Sequence, residues 1–338
     1  MHELTIKKND AGQRLDKFIT KTLHLPTSLL HKSIRLKKIK VNRKRADGSQ
    51  MLVEGDTVQC FLAEEFFEAA GLGNANASAA AGTEERGATL KAKSLAAIHP
   101  SLSVIYEDEN ILLLDKRPGV SVHEDEHEST NTLITQIQAY LYQKGDYDPD
   151  EEQSFAPALC NRIDRNTGGI VIAAKNAEAL RVMNEKIKTR EIDKFYLCAV
   201  HGVPAKESDT LHGYLLKDEK KKQVTVFDKN PPRGAKEIIT KYRVIAKKAD
   251  ASLLEVELLT GRTHQIRAHM AHIGHPLLGD GKYGVNREDR RAGYKHQALY
   301  SYKLRFDFKG EETALSYLSG KEFSIKKSDV YFTKDFFK

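Results

Sequence analysis

The sequence predicts an α+β protein in which a small N-terminal module precedes a larger domain built on a mixed, largely antiparallel β-sheet. After residue 100, short β-rich segments follow one another closely, with few helical segments that could act as parallel crossovers. Before residue 62, two amphipathic helical segments are combined with short alternating strands, which is typical of a small α/β unit. The expected division is a module over 1–62, a flexible linker over 63–99, a domain over 100–325 and a tail over 326–338.

The composition favours a soluble protein with a polyanionic partner. The 338 residues carry a formal net charge of +7, and eight Lys or Arg residues but no acid lie between Lys32 and Arg45. The three cysteines are far apart, which argues against a disulfide framework and for a reducing compartment. No signal-peptide pattern is present, and no apolar run approaches the roughly 20 residues that span a bilayer. We therefore expect a cytoplasmic protein with no membrane segment.

Two helices and a short hairpin are predicted within the module. The apolar face of the first helix is formed at helical spacing by Leu15, Phe18, Ile19 and Leu23. Pro26 ends this helix, and Thr27 or Ser28 can cap a second one. Strands are expected over 39–42 and 57–61, and turns at Asp47-Gly48 and Glu54-Gly55.

The second helix and the hairpin would gather cations on one side of the module. These cations are Lys32, Arg35, Lys37, Lys38, Lys40, Arg43, Lys44 and Arg45. A solvated charged face is the alternative to a nucleic-acid surface. The segments "RLDKFI", "SIRLKKIKVN" and "LVEGDTV" resemble the small RNA-binding module named after a small-subunit ribosomal protein. This resemblance implies that the cations from Lys32 to Arg43 bind RNA.

The segment that follows the module changes composition abruptly. Residues 66–98 are rich in Ala, Gly, Ser and Asn and contain almost no large apolar side chain, so they cannot bury a core. A flexible tether of this kind would let the module engage RNA independently of the second domain, although its Ala-rich part can be transiently helical.

The strongest motif presents one carboxylate, Asp164, on a turn that opens into an apolar strand. Arginines flank it on both sides and would keep it charged or bind phosphates, a surface ion pair being the alternative. Residues 157–172 resemble the signature of the RluA-type pseudouridine synthases, usually His-Arg-Leu-Asp-x-x-Thr-Ser-Gly. Asn161 and Gly168 depart from that signature, standing where it has histidine and serine.

A second motif covers residues 257–284. A strand, a Thr260-Gly261 turn and a helix capped by Thr263 are predicted, with a buried stripe formed by Ile266, Met270 and Ile273. Arg262, His264 and Arg267 lie near the start of that helix, where backbone N–H groups and guanidiniums attract a phosphate or a catalytic carboxylate.

The same segment contains His264, His269, His272 and His275, which invite a metal interpretation. No nearby cysteine or acid completes a tetrahedral set, so we expect no metal. The segment matches the RluA-type motif Gly-Arg-Thr-His-Gln-hydrophobic-Arg and the Gly-His-Pro-Leu-hydrophobic-Gly-Asp that follows it.

The resemblance implies an RNA pseudouridine synthase, an isomerase that needs no cofactor. It implies that Asp164 is the catalytic carboxylate and that Arg267 pairs with it. Tyr196 of "KFYL" would stack on the target base, although an aromatic residue on a strand is more often a core residue. Arg162 would occupy the space that the flipped base vacates, and Arg262 and His264 would contact the substrate.

The accessory module favours large-subunit (23S) ribosomal RNA as the substrate. We expect the enzyme to be a monomer. A synthase acting on tRNA and a catalytically inactive RNA-binding protein are the alternatives. An RNA-directed glycosidase is a third, but it would need a second carboxylate near Asp164, and neither motif is expected to supply one.

Overall fold

The structure of the protein is a computed structural model that describes residues 1–70, 72, 89–124 and 131–337. It divides into two compact units. The first consists of Met1–Pro100, Ile137–Pro157 and Lys175–Glu178. The second consists of Ser101–Gln136, Ala158–Ala174 and Ala179–Lys338. No helix in these described ranges is long and apolar enough to cross a bilayer.

The first unit contains a four-stranded antiparallel sheet and several short helices. Its strands are β1 (His2–Thr5), β2 (Ile39–Val41), β3 (Lys44–Arg45) and β4 (Thr57–Cys60), in the order β1-β4-β2-β3. Its helices include α1 (Leu15–Leu23), α2 (Thr27–Arg35), α3 (Glu64–Ala69) and α4 (Leu90–Ala97). The predicted apolar face of α1 is buried in the core of this unit. The two predicted helices and two predicted strands of the module are therefore confirmed.

Two local details of the module differ from the sequence analysis. The residue that precedes α2 is Pro26, and no side chain caps the helix, because Thr27 is already its first helical residue. The turn between β2 and β3 is formed by Asn42 and Arg43, both with positive φ, a conformation that suits two-residue hairpins. The expected turn at Asp47-Gly48 is present, but it lies after β3.

Helices occupy both ends of the segment predicted to be a linker. Phe67 of α3 is fully buried in the core of the first unit, so this core extends beyond the predicted boundary at residue 62. The Ala-rich centre of the predicted linker, residues 73–88, lies outside the described residues. Its flexibility therefore stays a prediction.

The second unit is built on one large mixed sheet. Its strands are β5 (Val104–Glu107), β6 (Ile111–Lys116), β7 (Ala158–Leu159), β8 (Gly168–Ala174), β9 (Ile192–His201), β10 (Ser208–Asp218), β11 (Gln223–Phe227), β12 (Lys236–Lys247), β13 (Ala251–Leu258), β14 (Leu299–Phe306) and β15 (Glu322–Ser324). The main order is β11-β10-β12-β13-β9-β14-β8-β6-β5, with β7 paired to β8 and β15 to β14. The β8–β14 pair is parallel and the other described pairs are antiparallel, which confirms the predicted fold class.

The remaining helices are α5 (Leu133–Lys144), α6 (Ala177–Lys188), α7 (Gln265–His272) and α8 (Arg287–Arg291). Strand alternation decides which side chains of β9 meet α7. Tyr196 and Cys198 pack in one cluster with Ile266 and Met270 of α7, whereas Leu197 belongs to a different cluster. The face of the sheet that carries Tyr196 is therefore the face covered by α7.

Candidate active site

Asp164 lies on the loop that joins β7 to β8, at the wall of a cavity of about 900 Å³. A turn closes directly after it, because the backbone N–H of Thr167 donates to the carbonyl of Asp164 at 3.0 Å. The Asp164 side chain is 26% exposed, so its carboxylate is open to the cavity while most of the side chain is buried against the protein. All the residues that line this cavity belong to the second unit.

Arg267 connects two carboxylates through its guanidinium. Its Nη1 donates to Oδ2 of Asp164 at 2.7 Å. Its Nε and Nη2 donate to Oδ2 and Oδ1 of Asp280 at 2.7 and 2.9 Å, which is a bidentate pair. Burial alone would lower the pKa of Arg267, but the hydrogen bonds and charges of Asp280 and Asp164 raise it above its ordinary value. The structure thus brings together the two residues that the two motifs were expected to pair.

Asp280 is the anchor of this network, and the sequence analysis missed it. Its side chain is fully buried, and it accepts further hydrogen bonds from the backbone N–H groups of Lys282 and Tyr283. Burial would raise the pKa of the Asp280 carboxyl, but the hydrogen bonds and the charge of Arg267 outweigh it and hold the pKa below its usual value. The signal was available, since Asp280 is the aspartate of the quoted Gly-Asp element.

The expectation that neither motif supplies a second carboxylate near Asp164 is therefore wrong. Asp280 and Asp164 share the guanidinium of Arg267. Asp280 nevertheless cannot serve as the general acid that a glycosidase needs, because its oxygens are engaged and it is held ionised. The geometry argues against hydrolysis for a different reason from the one the sequence offered.

Lys116 holds the β7–β8 loop, which carries Asp164, against the turn that follows β6. The side chain is almost fully buried at the end of β6. Its ammonium donates to the carbonyls of Arg117 and Val120 at 3.0 Å and to that of Arg165 at 2.8 Å. Burial lowers the pKa of the Lys116 amine to about 7, and the charge of Asp164 offsets part of that effect. The sequence analysis did not predict this contact, although a lysine at the end of an apolar strand was a visible signal for it.

His264 lies beside Asp164 at the start of α7. The distance between His264 Nε2 and Asp164 Oδ2 is 3.8 Å. Thr263 does not cap α7 as predicted, because His264 is the N-cap and adopts a left-handed conformation with φ 53°. The predicted buried stripe of α7 is present, with Ile266 and Met270 in the core and Ile273 partly buried.

The four histidines of this segment point to separate partners. Each makes its own hydrogen bond: His264 to Tyr283, His269 to Thr240, His272 to Asp228 and His275 to the carbonyl of His201. Within the ranges that the structure describes, no group of three His, Cys, Asp or Glu side chains is arranged to hold a metal ion.

The position of Tyr196 bears on the two roles considered for it, that of a core residue and that of a residue stacking on the target base. It is 7% exposed and packs in the core cluster beneath α7, yet it also lines the cavity that contains Asp164. Burial raises the pKa of its hydroxyl to about 12, so the tyrosine is neutral at physiological pH. A small part of Tyr196 is thus exposed at the cavity wall.

Arg162 and Arg262 also line the cavity, and both are exposed. Neither side chain forms an ion pair or a hydrogen bond with another described residue, so both guanidiniums are available to an anionic ligand. In the first unit, the predicted cations Lys32, Arg35, Lys37, Lys38 and Arg43 are exposed. Lys40 is half-buried, with its ammonium 5.3 Å from the centre of the Phe61 ring.

The two departures from the family signature have local structural reasons. Asn161 accepts a hydrogen bond from the backbone N–H of Ile172 at 2.7 Å, so its side chain ties the β7–β8 loop to β8. A Cβ on Gly168 would lie 2.4 Å from the ring of Tyr300, to which Gly168 is paired across the parallel β8–β14 contact. A serine at position 168 would therefore require the Tyr300 ring or the backbone to shift, at a cost in stability.

The comparisons with known proteins agree with this geometry. A family model described as RNA pseudouridylate synthase matches residues 110–272, which contain Asp164, Tyr196 and Arg267. A ribosomal large subunit pseudouridine synthase C from Buchnera aphidicola is 30% identical over 294 residues, covering 85% of this chain and 82% of that protein. An uncharacterized RNA pseudouridine synthase from Mycoplasma genitalium is 32% identical over 311 residues, covering 90% and 89%.

The chain belongs to the RNA pseudouridylate synthase family. Members of this family are isomerases that convert uridine in RNA to pseudouridine. The fold agrees as well: human RNA pseudouridylate synthase domain containing 4 has a TM-score of 0.53 at 20% identity, covering 70% of this chain and 90% of that one. The predicted family, fold class and reaction type are thus confirmed.

Proposed function

We propose that this pseudouridylate synthase isomerises uridine in large-subunit ribosomal RNA and that Asp164 is its catalytic carboxylate. The observation that carries the proposal is the ion pair between Arg267 and Asp164 at 2.7 Å, at the wall of a cavity large enough for a nucleotide. The named function of the relative from Buchnera aphidicola supports the choice of substrate.

The chemistry explains why a single oriented carboxylate is required. The N1–C1′ bond of the uridine breaks, the base turns, and C5 bonds to C1′ while the C5 hydrogen leaves and N1 gains a proton. Asp164 can attack C1′ or C6 or assist a glycal route, and each requires a charged carboxylate in a site shielded from water. Arg267 orients the carboxylate through one oxygen and leaves the other oxygen, Oδ1, for the substrate.

The cavity supplies further groups for a flipped-out nucleotide. We propose that the ring of Tyr196 contacts the uracil, in keeping with its place at the cavity wall. We propose that Arg162 fills the space the base leaves and that Arg262 binds phosphate, since both guanidiniums are exposed. His264 lies close enough to Asp164 to reach the same nucleotide.

We propose that the N-terminal module anchors the RNA. Its cations are concentrated on α2, on the β2–β3 hairpin and on the short connection between them, which contains Lys37 and Lys38. A cation cluster of this density releases counterions when it binds a phosphate backbone. The proposal includes the division of the chain into a module, a tether and a catalytic domain. It also includes a monomeric state and a cytoplasmic location.

The substrate can be tested by mapping pseudouridines in a strain that lacks the gene. Loss of one or more pseudouridines from large-subunit rRNA, restored by the wild-type gene but not by an Asp164→Asn allele, is the expected result. Loss confined to tRNA would contradict the rRNA assignment and leave the activity standing. An unchanged map in both RNA classes would contradict the proposed function.

A further inference from the structure

The hydrogen-bond pattern around His264 favours one of its two ring nitrogens as the carrier of the proton. The hydroxyl oxygen of Tyr283 accepts the backbone N–H of Val224 at 3.0 Å. The same oxygen lies 2.8 Å from Nδ1 of His264. The described residues place no other acceptor at this hydroxyl, so the favoured arrangement has Val224 donating to the oxygen while the hydroxyl donates its own proton to Nδ1. A neutral His264 therefore carries its proton on Nε2.

This Nε2–H faces the carboxylate side of the cavity and remains available. Nε2 is 3.8 Å from Oδ2 of Asp164, which is too far for a hydrogen bond. No other described residue forms a hydrogen bond with Nε2. His264 lines the cavity, and its side chain is only 14% exposed.

The backbone supports the same assignment. His264 adopts φ 53° at the N-cap of α7, a left-handed conformation that few non-glycine residues take. Residues held in this region cluster at functional sites, where the surrounding structure determines them. Here the His264 backbone is held at the start of α7, while its ring contacts Tyr283, whose hydroxyl is in turn held by the β11 backbone.

We propose that His264 is a neutral hydrogen-bond donor to the uracil of the target nucleotide and that Tyr283 is the positioning residue that fixes its tautomer. The proposal rests on the isomerase function proposed above. When the N1–C1′ bond breaks, its electron pair stays with the uracil, and the charge spreads to the carbonyl oxygens O2 and O4. A fixed N–H donor on a side chain that is mostly buried stabilises that charge, whichever route Asp164 follows.

The charges around the ring are compatible with a neutral histidine. Burial lowers the pKa of His264 from its ordinary value near 6.5, while the Asp164 carboxylate offsets part of this effect. The charged groups that face the ring are Asp164 on the β7–β8 loop, Arg267 on α7, and Asp280 and Lys282 on the segment after α7. Removal of the Tyr283 hydroxyl deletes the donor that opposes protonation at Nδ1, so the pKa of His264 should rise.

The test uses the full chain and an rRNA transcript on which the wild-type protein is active. Single-turnover rates, RNA affinity and melting temperature are measured from pH 5.5 to 8.5, a range that brackets the ordinary histidine pKa. His264→Ala should be about 100-fold slower, the typical loss for one donor to a developing charge, with RNA affinity nearly unchanged. His264→Gln places an amide N–H near the position of Nε2, so it should recover about tenfold of that loss.

The positioning role has its own signature. Tyr283→Phe should be about fivefold slower at pH 7.5. It should lose further rate toward pH 6, which neither His264 variant shows, because a protonated His264 would pair with the Asp164 carboxylate 3.8 Å away and draw it from the substrate. The matched control is Tyr214→Phe, since Tyr214 is a half-buried tyrosine on β10 whose hydroxyl makes no hydrogen bond with the described residues. It should match the wild type at each pH.

The outcomes separate the two proposals. An active wild type together with a full-rate His264→Ala variant would overturn this inference alone. Equal losses in His264→Gln and His264→Ala that track a fall in melting temperature would also overturn it, because they indicate a structural role. A wild-type protein that isomerises no uridine in any RNA would instead overturn the proposed function.

Discussion

Replacing Asp280 by asparagine should destabilise the second unit far more than the loss of an ordinary ion pair. The carboxylate accepts two hydrogen bonds from the Arg267 guanidinium and two from backbone N–H groups. An amide has one accepting oxygen, so its NH₂ group must face at least one of these donors. Removal of one partner from a buried ion pair costs about 3–5 kcal/mol.

The expected loss lies at the lower end of that range, about 3 kcal/mol, because Arg267 keeps its contact with Asp164. The pair formed by Arg305 and Asp193 is a matched control. It also joins an arginine to an aspartate in the second unit through two hydrogen bonds, but its side chains are 52% and 27% exposed. Asp193→Asn should therefore cost less than about 1 kcal/mol.

Urea unfolding of the wild type and the two variants measures both values. The chain has no tryptophan, so far-UV circular dichroism and tyrosine fluorescence are suitable probes. Asp280→Asn should also slow isomerisation at least tenfold, because the guanidinium loses the contact that orients it toward Asp164. A destabilisation no larger than that of Asp193→Asn would refute the anchoring role of Asp280.

Three further results are expected. Tyr196→Phe should keep the wild-type affinity for RNA, whereas Tyr196→Ala should lose about 1–3 kcal/mol of binding free energy. Normal affinity in a folded alanine variant would contradict base stacking. Gly168→Ser should lower the free energy of unfolding by about 1–3 kcal/mol through its clash with Tyr300. A second change, Tyr300→Leu, should restore part of the lost stability. A fully stable Gly168→Ser protein would exclude the clash. Burial lowers the pKa of the His269 imidazole to about 4. The contribution of the buried, neutral His269 to stability is therefore present above pH 6.5 and is lost as the pH falls from 6.5 toward 4. His269→Gln should remove on the order of 2–3 kcal/mol of that pH dependence between pH 7 and 4.5, and equal acid slopes for the two proteins would show that His269 does not titrate this way.

The sequence predicted the parts of the site that lie within continuous motifs. Asp164 and Arg267 were recognised separately, and their expected pairing is present in the structure. The alternation of β9 and the helical spacing of α7 were also readable, because period and burial are local properties of a segment. The resemblance to the RluA-type motifs, and not period or spacing, placed a carboxylate, a guanidinium and an aromatic ring in one expected site.

The features that the sequence did not reveal depend on contacts between distant segments. The anchoring role of Asp280 appears only once the turn after α7 brings it to Arg267. The reason for glycine at position 168 is the ring of Tyr300, which reaches it through the parallel pairing of β8 with β14. The start of α7 was misplaced because His264 takes a left-handed conformation that propensity does not predict.

The central claim, that Asp164 performs the isomerisation, is tested most directly with an rRNA transcript labelled with tritium at C5 of uridine. The label is released only when C5 loses its hydrogen after bonding to C1′, so it reports the rearrangement itself. We predict release by the wild type and by the Asp193→Asn control, and none by Asp164→Asn, which should still bind the transcript as tightly as the wild type. Release by Asp164→Asn at more than a few per cent of the wild-type rate would contradict the account.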